Sequence, residues 1–331
     1  MRVVIVTDFA EADSGGNRMF FQLAEISKKL FDTYLLTGRA SLSPRVTTKC
    51  AWIYRDCPQP YKCPHKALLL FLCAAVNIAR LKPDIIITNS HLPNLLAWIY
   101  PRKTVAVLHH IEQPQGVLRP LAELIQKAEL KAPHRLIMTP VAKFTENTLL
   151  VPPLYEVPIC PKAPKIPGLI TMIGRLEKRK HYDLALIAFK IAKQQDSQLK
   201  LVVIGDGPEK QKITGLVEKL KLTDVVLKGR VTDEEKLKIL AQSEIFLHTG
   251  YPEGYVISIQ EAHNCQNKIV AYKETPSLRD IYCNKYPYET FKPQEIASKI
   301  LQARKSQIEK CKTIKSTKKI YEKILNLLVN R

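Results

Sequence analysis

The most informative part of this chain reads His248-Thr-Gly-Tyr-Pro-Glu-Gly-Tyr-Val-Ile-Ser-Ile-Gln-Glu-Ala262. Gly250 to Gly254 is a cluster of turn-forming residues, and the residues that follow it favour a helix beginning near Tyr255 to Ile257. The first backbone N–H groups of a helix lack partners within the helix and attract anions. The sequence therefore predicts an anion-binding site at the N–H groups of Gly254, Tyr255 and Val256.

Two carboxylates flank this anion site. Glu253 lies just before the helix and Glu261 about two turns within it, so a rise of about 1.5 Å per residue separates them by roughly 12 Å along the axis. The paired carboxylates of glycoside hydrolases stand only about 5 to 9.5 Å apart, which argues against hydrolysis of a glycosidic bond. A nucleotide-sugar fits the spacing better, with its sugar at Glu253, its diphosphate at the helix N-terminus and its ribose at Glu261.

Length and charge narrow the class of protein. A chain of 331 residues is longer than one hydrophobic core usually supports, so we expect two domains of about 150 residues each. The formal charge of +20 implies an anionic partner, which is a phosphorylated substrate, an anionic membrane surface or nucleic acid. The charge alone does not choose among these three.

The cysteines and apolar runs bear on location. Eight cysteines in a chain of this length do not indicate a disulfide framework, and the chain opens with a strand rather than a signal peptide, so we expect a cytoplasmic protein. Cys57, Cys63 and His65 lack the spacing of a zinc site, so we expect no metal. The run Ala67–Val76 is too short to span a bilayer and predicts a buried helix, with peripheral membrane contact as the alternative.

The chain begins with a strand, a glycine-rich loop and a helix. Arg2 to Thr7 is a mainly apolar run of the kind found in parallel sheets. Gly15 and Gly16 follow it, and they allow the backbone to approach a phosphate or a sugar. The Gly-x-Gly-x-x-Gly spacing of dinucleotide-binding proteins is absent. An ordinary tight turn between strand and helix is the alternative.

Further predicted strands, Pro83–Thr88 and Thr104–Leu108, alternate with helical patterns, which indicates βαβ units and a parallel sheet. His109 and His110 follow the second of these strands. The carboxyl ends of strands in such sheets form the ligand crevice, so this pair is expected at the site. Strand alternation points the two histidines in opposite directions and does not decide between them.

A proline-rich segment divides the chain. Six prolines between Val151 and Pro167 exclude a helix or a central strand, so residues 154–167 are interpreted as a linker between domains of residues 1–153 and 168–311. The remaining residues, 312–331, predict a basic helix that returns to the first domain. Its lysines suit a solvated face, with contact to anionic lipid as the alternative.

The second domain repeats the strand-and-helix pattern. Arg175 and Lys180 stand in the loop after the strand Leu169–Ile173, where a guanidinium and an ammonium group can grip a diphosphate. Lys178 and Arg179, in the same loop, fit a solvated charge run better. Ile269–Ala271 is the last clear strand, and the sequence from Pro293 onward is helical and basic.

Taken together, these motifs resemble the retaining glycosyltransferases of the GT-B fold, family-4 type, also called group 1. Glu253 and Glu261 match the Glu-seven-Glu motif of that family, with Gly254 after the first. Gly174 to Lys180 matches its Gly-Arg-Leu loop, which has a Lys five residues after the Arg. The family also has the Gly-Gly loop after the first strand and the Gly-x-Gly-Pro turn that begins at Gly205.

The sequence departs from the family at two places. His181 stands where a Gly is usual. Asn264–Asn267 and Lys273–Pro276 replace a glycine-rich stretch, which leaves the donor sugar open.

The resemblance implies an α/β protein of the GT-B class, with two Rossmann-like domains whose parallel sheets face a central cleft. It implies transfer of a sugar, with retention of configuration, from a nucleotide-sugar to a hydroxyl of a lipid, a glycan or another acceptor. Arg175, Lys180 and the helix N-terminus stabilise the leaving diphosphate in this interpretation, without a metal or cofactor. Glu253 holds the transferring sugar.

The same interpretation assigns the other site residues. Those expected to bind the donor are Gly174, Gly205, Gly229, Val231, Gly254, Tyr255, Val256 and Glu261. Gly15 and Gly16 face donor and acceptor, and His109 or His110 lines the acceptor side.

Two alternatives stay open. A sugar phosphorylase or nucleotide-sugar epimerase on the same fold differs in using phosphate or water in place of the acceptor hydroxyl. A basic nucleic-acid-associated protein, such as a modified-base glucosyltransferase, is the second, although the chain lacks aromatic stacking platforms. Peripheral contact of the basic tail with an anionic membrane, at its inner face, is the alternative to a solvated face.

Overall fold

The computed structural model describes residues 1–10, 15–40, 47–51, 53, 64–89, 91–108, 123–125, 127–128, 135–137, 148–150, 157–281, 283–313 and 322. The chain divides into two compact units, one of Met1–Glu156 with Ser316–Arg331 and one of Val157–Lys315. Each unit contains a parallel sheet of its own. The architecture is therefore α/β with two sheets, as the sequence predicted.

The first unit carries seven strands in its described part. They are β1 (Arg2–Ala10), β2 (Asp32–Ala40), β3 (Thr47–Lys49), β4 (Ile85–Asn89), β5 (Thr104–Leu108), β6 (Arg135–Ile137) and β7 (Thr148–Leu150). Their order in the sheet is β3-β2-β1-β4-β5-β6-β7. The helices are α1 (Gly15–Leu30), α2 (Pro64–Leu81), α3 (His91–Asn94) and α4 (Leu96–Ile99).

The second unit has six strands among the residues described. They are β8 (Ile166–Ile173), β9 (Lys200–Ile204), β10 (Val225–Gly229), β11 (Ser243–His248), β12 (Lys268–Tyr272) and β13 (Lys285–Tyr288). The helices are α5 (Tyr182–Gln195), α6 (Lys210–Lys219), α7 (Asp233–Gln242), α8 (Ile257–Asn264) and α9 (Pro293–Lys305). The strand order is β10-β9-β8-β11-β12-β13, and every pairing is parallel.

Helices cover both faces of the second sheet, as strand β11 shows. All six residues of β11 are buried. Ile245 and Leu247 pack in a core that includes residues of α5 and α9, whereas Phe246 points into a separate core with residues of α8. A strand that is buried on both faces needs apolar side chains on both, and Ile245, Phe246 and Leu247 supply them in the middle of β11.

The strand order places the ligand crevice of this unit. It reverses between β8 and β11, because β9 and β10 lie on one side of β8 while β12 and β13 lie beyond β11. Loops that leave the carboxyl ends of two such neighbouring strands turn to opposite sides of the sheet, which leaves a crevice between them. The loops after β8 and β11 hold the predicted glutamate, arginine and lysine motifs.

The structure corrects several expected boundaries. Strand β13 follows Ile269–Ala271, which was expected to be the last strand, and β8 begins at Ile166, two residues before the expected start of the second domain. Helix α9 ends at Lys305 and residues 306–313 are irregular, so the basic C-terminal segment is not helical from Pro293 onward. Of the predicted helix of residues 312–331 the structure describes only residues 312, 313 and 322.

The expectation that the cysteines form no disulfide framework is wrong. Disulfides join Cys50 to Cys73, Cys160 to Cys265 and Cys283 to Cys311. Cys57 and Cys63 lie outside the described residues. Disulfides persist in oxidising compartments and in intracellular proteins of hyperthermophiles, so cysteine usage gives no support to a reducing compartment. No helix in the described part of the chain has both the length and the apolar character needed to cross a bilayer.

Candidate functional site

Two loops form the candidate site, and backbone contacts join them. The loop after β8 runs through Arg175 to Lys180, and the loop after β11 runs through Thr249 to Gly254. Thr249 Oγ1 donates a hydrogen bond to the carbonyl oxygen of Lys180 at 2.7 Å. The N–H of Tyr251 donates to the carbonyl oxygen of Arg179 at 2.9 Å. The basic residues of one loop are thereby held against the glutamate of the other.

Glu253 is the centre of this contact. Its Oε1 lies 2.7 Å from Lys180 Nζ and its Oε2 lies 3.0 Å from Arg179 Nη1. The Glu253 side chain is only 8% exposed. Burial on its own raises the pKa of a carboxyl group, but the charges of Lys180 and Arg179 outweigh burial, so the pKa of Glu253 lies below its usual range. The carboxylate is therefore ionised and oriented at neutral pH.

Arg179 is a site residue that sequence reasoning missed. Besides Glu253, it contacts Glu177, whose other oxygen lies 3.0 Å from Arg175 Nε. A run of four charges in a loop looks the same in sequence whether its members are solvated or paired. Only the approach of the loop after β11 distinguishes Arg179 from its exposed neighbour Lys178.

Gly250 and His248 form the wall behind Glu253. A Cβ placed on Gly250 would lie 2.4 Å from Glu253 Oε1 and 3.0 Å from His248 Nε2, so no larger residue fits without displacing the carboxylate. Burial, and next the charge of Lys180, lower the pKa of His248 to about 3. Its Nε2 has no hydrogen-bond partner among the described residues. This imidazole is therefore neutral at neutral pH.

Glycines shape the neighbouring strand ends. A Cβ on Gly205, whose φ is +143°, would meet the carbonyl oxygen of Gly174 at 1.9 Å. The N–H of Gly205 donates to the Gly229 carbonyl at 2.8 Å. Gly174, Gly205 and Gly229 are thus brought together at the carboxyl ends of β8, β9 and β10. Val231 follows this edge and is half-buried.

The helix N-terminus is less open than expected. Helix α8 begins at Ile257 after Val256, as predicted. However, the N–H of Val256 donates to Ser277 Oγ at 2.6 Å, and the hydroxyl of Tyr255 is bonded to Asp280 and Gln260. Ser277 belongs to a 3₁₀ helix, Pro276–Asp280, which sequence reasoning did not place there. In this structure the Val256 N–H is therefore not an open anion donor.

Glu261 lies inside α8 and pairs with a different cation from those that contact Glu253. Its side chain is 3% exposed, and Oε1 lies 2.8 Å from Lys236 Nζ. Lys236 also contacts Asp233, at 2.9 Å. Lys236 of α7 therefore orients the second glutamate, which the sequence pattern did not indicate.

The remaining predicted residues lie elsewhere. Gly15 and Gly16 form the first turn of α1 in the first unit, so they start the helix rather than precede it. His109 and His110 lie outside the described residues. Within the described ranges no group of three or more His, Cys, Asp and Glu side chains could hold a metal ion.

Comparison with known proteins agrees with this geometry. Residues 161–320 match the family described as Glycosyl transferases group 1. A curated relative, the poly(ribitol-phosphate) alpha-N-acetylglucosaminyltransferase of Staphylococcus aureus, is 28% identical over 200 residues, which cover 55% of this chain and 39% of the relative.

A second relative comes from Campylobacter jejuni. This N-acetylgalactosamine-N,N'-diacetylbacillosaminyl-diphospho-undecaprenol 4-alpha-N-acetylgalactosaminyltransferase is 29% identical over 114 residues, which cover 34% of this chain and 30% of the relative. The chain thus spans about two fifths or less of the length of both relatives.

Among solved structures, the sucrose-phosphate synthase of Thermosynechococcus elongatus superimposes with a TM-score of 0.71 at 16% identity, covering 99% of this chain and 98% of that one. At this identity the likeness shows the fold alone. It is the GT-B class of two parallel-sheet α/β units.

Proposed function

We propose that this chain, whose residues 161–320 belong to the family Glycosyl transferases group 1, transfers a sugar from a nucleotide-sugar to a hydroxyl of an acceptor. The observation that carries the proposal is the contact of Glu253 with Lys180 and Arg179 at the point where the strand order reverses. This places a carboxylate suited to sugar hydroxyls beside cations suited to a diphosphate. The family match favours this reaction over a phosphorylase or an epimerase.

The cations act on the leaving group. As the bond between sugar and diphosphate breaks, negative charge grows on the diphosphate, and fixed positive charges stabilise it. Lys180 is 13% exposed and Arg179 48% exposed, so both can reach a ligand without leaving the loop. Arg175 adds a third cation. These side chains supply the charge compensation, and the proposed reaction needs no metal.

Glu253 has two roles in this proposal. Before donor binds, it neutralises Lys180 and Arg179, which keeps the loop ordered. With donor bound, its carboxylate accepts hydrogen bonds from the transferring sugar while the cations turn to the diphosphate. Glu261, oriented by Lys236, binds the ribose. Gly15, Gly16, His109 and His110 are the candidates for binding the acceptor.

The substrates are proposed by class. Both relatives described above are named for transfer of an N-acetylhexosamine, which supports a donor of that kind here. The name of the second relative specifies a diphospho-undecaprenol acceptor, which supports a lipid-linked acceptor. Retention of configuration rests on the resemblance of the Glu-seven-Glu motif, and NMR of the anomeric proton in the product tests it.

A panel of nucleotide-sugars tests the function. We expect one nucleotide-sugar to raise the melting temperature of the full chain, because a ligand that binds only the folded state stabilises it. The same compound should release nucleoside diphosphate when an acceptor is added, and chelation of metals should not change the rate. A chain that binds none of the panel, or that releases inorganic phosphate or an epimer instead, contradicts the proposal.

A further inference from the structure

Helix α2 has an exposed apolar face. Its inner side packs Ala74 and Ile78 against the sheet. On the outer side Leu68, Leu69, Leu72 and Val76 are 51%, 44%, 50% and 51% exposed. The expectation that Ala67–Val76 is a buried helix is therefore wrong for this side, which we call the α2 face.

The α2 face is continuous along the helix. Leu68, Leu72 and Val76 recur at intervals of four residues, which places them in one row on a helix surface, and Leu69 lies beside that row. Four half-exposed aliphatic side chains in one continuous patch differ from the scattered apolar residues of an ordinary surface. Such a row indicates an interaction surface.

The ends of the α2 face are basic. Lys66 precedes it and Arg80, four residues after Val76, continues its row. Lys82 follows directly after the helix. The sequence from Pro64 to Pro83 contains no Asp or Glu. An apolar row with cations at both ends matches the boundary of an anionic bilayer, where acyl chains lie beneath negatively charged headgroups.

We propose that the α2 face docks on the surface of an anionic lipid bilayer. The helix lies in the plane of the interface, because its inner side is already packed against the sheet. A second copy of the chain suits the face less well, since an isologous contact brings the same basic ends together in a protein of formal charge +20. The proposal extends the suggested lipid-linked acceptor but does not require transferase activity.

Co-sedimentation of the full chain with vesicles tests the docking. The protein should sediment with vesicles of phosphatidylglycerol and phosphatidylcholine, and much less of it should sediment with vesicles of phosphatidylcholine alone. The double variant Leu72→Glu/Val76→Glu should lower the partition coefficient between vesicles and water at least about tenfold. It replaces aliphatic area that the bilayer would bury with negative charge that the headgroups repel. Leu72→Ser/Val76→Ser should lower it less, and it serves if the first variant does not fold.

Ile159→Glu is the matched control. Ile159 is 94% exposed but lies outside α2, in the irregular segment before β8, so its variant should bind vesicles like the unmodified chain. Replacing Lys318, Lys319 and Lys323 by Gln distinguishes the contribution of the tail from that of the α2 face. This variant should lose only the part of vesicle binding that added salt also removes.

Three results overturn the proposal. The first is recovery of folded α2-face variants equal to that of the unmodified chain. The second is loss of all binding in the tail variant alone. The third is a dimer in sedimentation analysis that the α2-face variants dissociate, without vesicle binding by either form. Because none of these readouts measures sugar transfer, failure here leaves the proposed function standing.

Discussion

At the scale of single residues, Glu253 and Lys180 have separable tasks. We expect Glu253→Gln to reduce turnover by about 10²-fold or more, the scale of losing one electrostatic contact in a dry site. Affinity for the free nucleoside diphosphate should not fall, because the variant leaves Lys180 and Arg179 without a competing carboxylate. Calorimetric titration alongside turnover measurement separates the two effects.

Glu261→Gln provides the comparison. The Glu261 carboxylate is assigned to the ribose, so the variant should bind both the nucleotide-sugar and the free nucleoside diphosphate more weakly. If instead Glu253→Gln abolishes diphosphate binding and Glu261→Gln leaves it intact, the ligand lies in the opposite direction.

The basic loop offers a test with its own control. Lys180→Ala should lower turnover by about 10²-fold or more, while Lys178→Ala, at an exposed position of the same loop, should leave it unchanged. Arg175→Ala and Arg179→Ala should each lower turnover, since both belong to the paired cluster. Steady-state kinetics on folded variants decides the matter. Wild-type turnover in Lys180→Ala contradicts the assigned role.

Gly250 tests the geometry of the site without touching a charge. Gly250→Ala should displace the carboxylate of Glu253, because the new Cβ stands 2.4 Å from Oε1. Turnover should fall while the fold survives. Gly215→Ala, in the middle of α6, meets nothing within 4 Å and should stabilise the protein by about 0.5–1 kcal/mol. Equal turnover in both variants contradicts the placement of Glu253.

The buried histidine makes stability depend on pH. The folded-state pKa of His248 is about 3, below the unfolded value of about 6.5. Between these values the unfolded chain binds more protons than the folded chain. The contribution of neutral His248 to folding stability is therefore complete above about pH 6.5 and is lost progressively down to about pH 3. At pH 5 the loss is about 2 kcal/mol.

Urea unfolding at pH 7 and pH 5 measures this loss. His248→Asn should reduce the difference between the two pH values by about the same 2 kcal/mol. An unchanged pH dependence in the variant shows that His248 titrates normally in the folded protein.

At the scale of elements, the segment after α9 is held by side chains rather than by a strand ladder. Gln266 exchanges two hydrogen bonds with the backbone of Cys311, at 2.7 and 3.2 Å. Asn284 does the same with Glu309, at 2.7 and 3.0 Å. The disulfide Cys283–Cys311 lies between these contacts. Glu309 and Cys311 are thereby held against the residues before β13 and against the turn after α8.

Removal of that disulfide should lower stability. The double variant Cys283→Ser/Cys311→Ser should lose about 2–4 kcal/mol of stability, since the segment that the bond closes, with a sequence separation of 28, regains freedom in the unfolded chain. Urea midpoints under oxidising conditions check this, and mass spectrometry of the unreduced chain confirms the bond. A reducing agent should lower the urea midpoint of the unmodified protein by more than it lowers that of the variant, which has already lost this bond. Equal midpoints for variant and oxidised protein contradict the prediction.

At the scale of the whole molecule, the division into two units predicts that nucleotide binding can be separated from sugar transfer. The described site residues Arg175, Lys180, Glu253 and Glu261 all lie in Val157–Lys315, which has its own sheet and cores. This unit expressed alone should bind the nucleoside diphosphate within about tenfold of the full chain and catalyse no transfer. Calorimetry tests the binding. A folded unit that binds none shows that residues of the first unit contribute to the nucleotide site.

Much of the fold could be predicted from residue patterns. The apolar strands β1, β4, β5, β8 and β12 and the helix start at Ile257 follow from local periodicity and turn chemistry, which depend on neighbours in sequence. The short strands β3, β7 and β13 were missed. Lys285 to Tyr288, for example, contains a proline and lacks a continuous apolar run, so its edge pairing with β12 is not visible locally.

The amino-acid sequence by itself determined the α/β class, the paired glutamates with their spacing, and the basic loop that accompanies them, because each of these depends on residues close in the chain. Only the tertiary structure decided which charges meet. Arg179 pairs with Glu253, Lys236 pairs with Glu261, and Ser277 accepts the hydrogen bond of the Val256 N–H. Six cysteines paired across separations of 23 to 105 residues. The physical reason is that ion pairs, disulfides and hydrogen bonds depend on distances in space, and strand order sets those distances between segments that are remote in sequence.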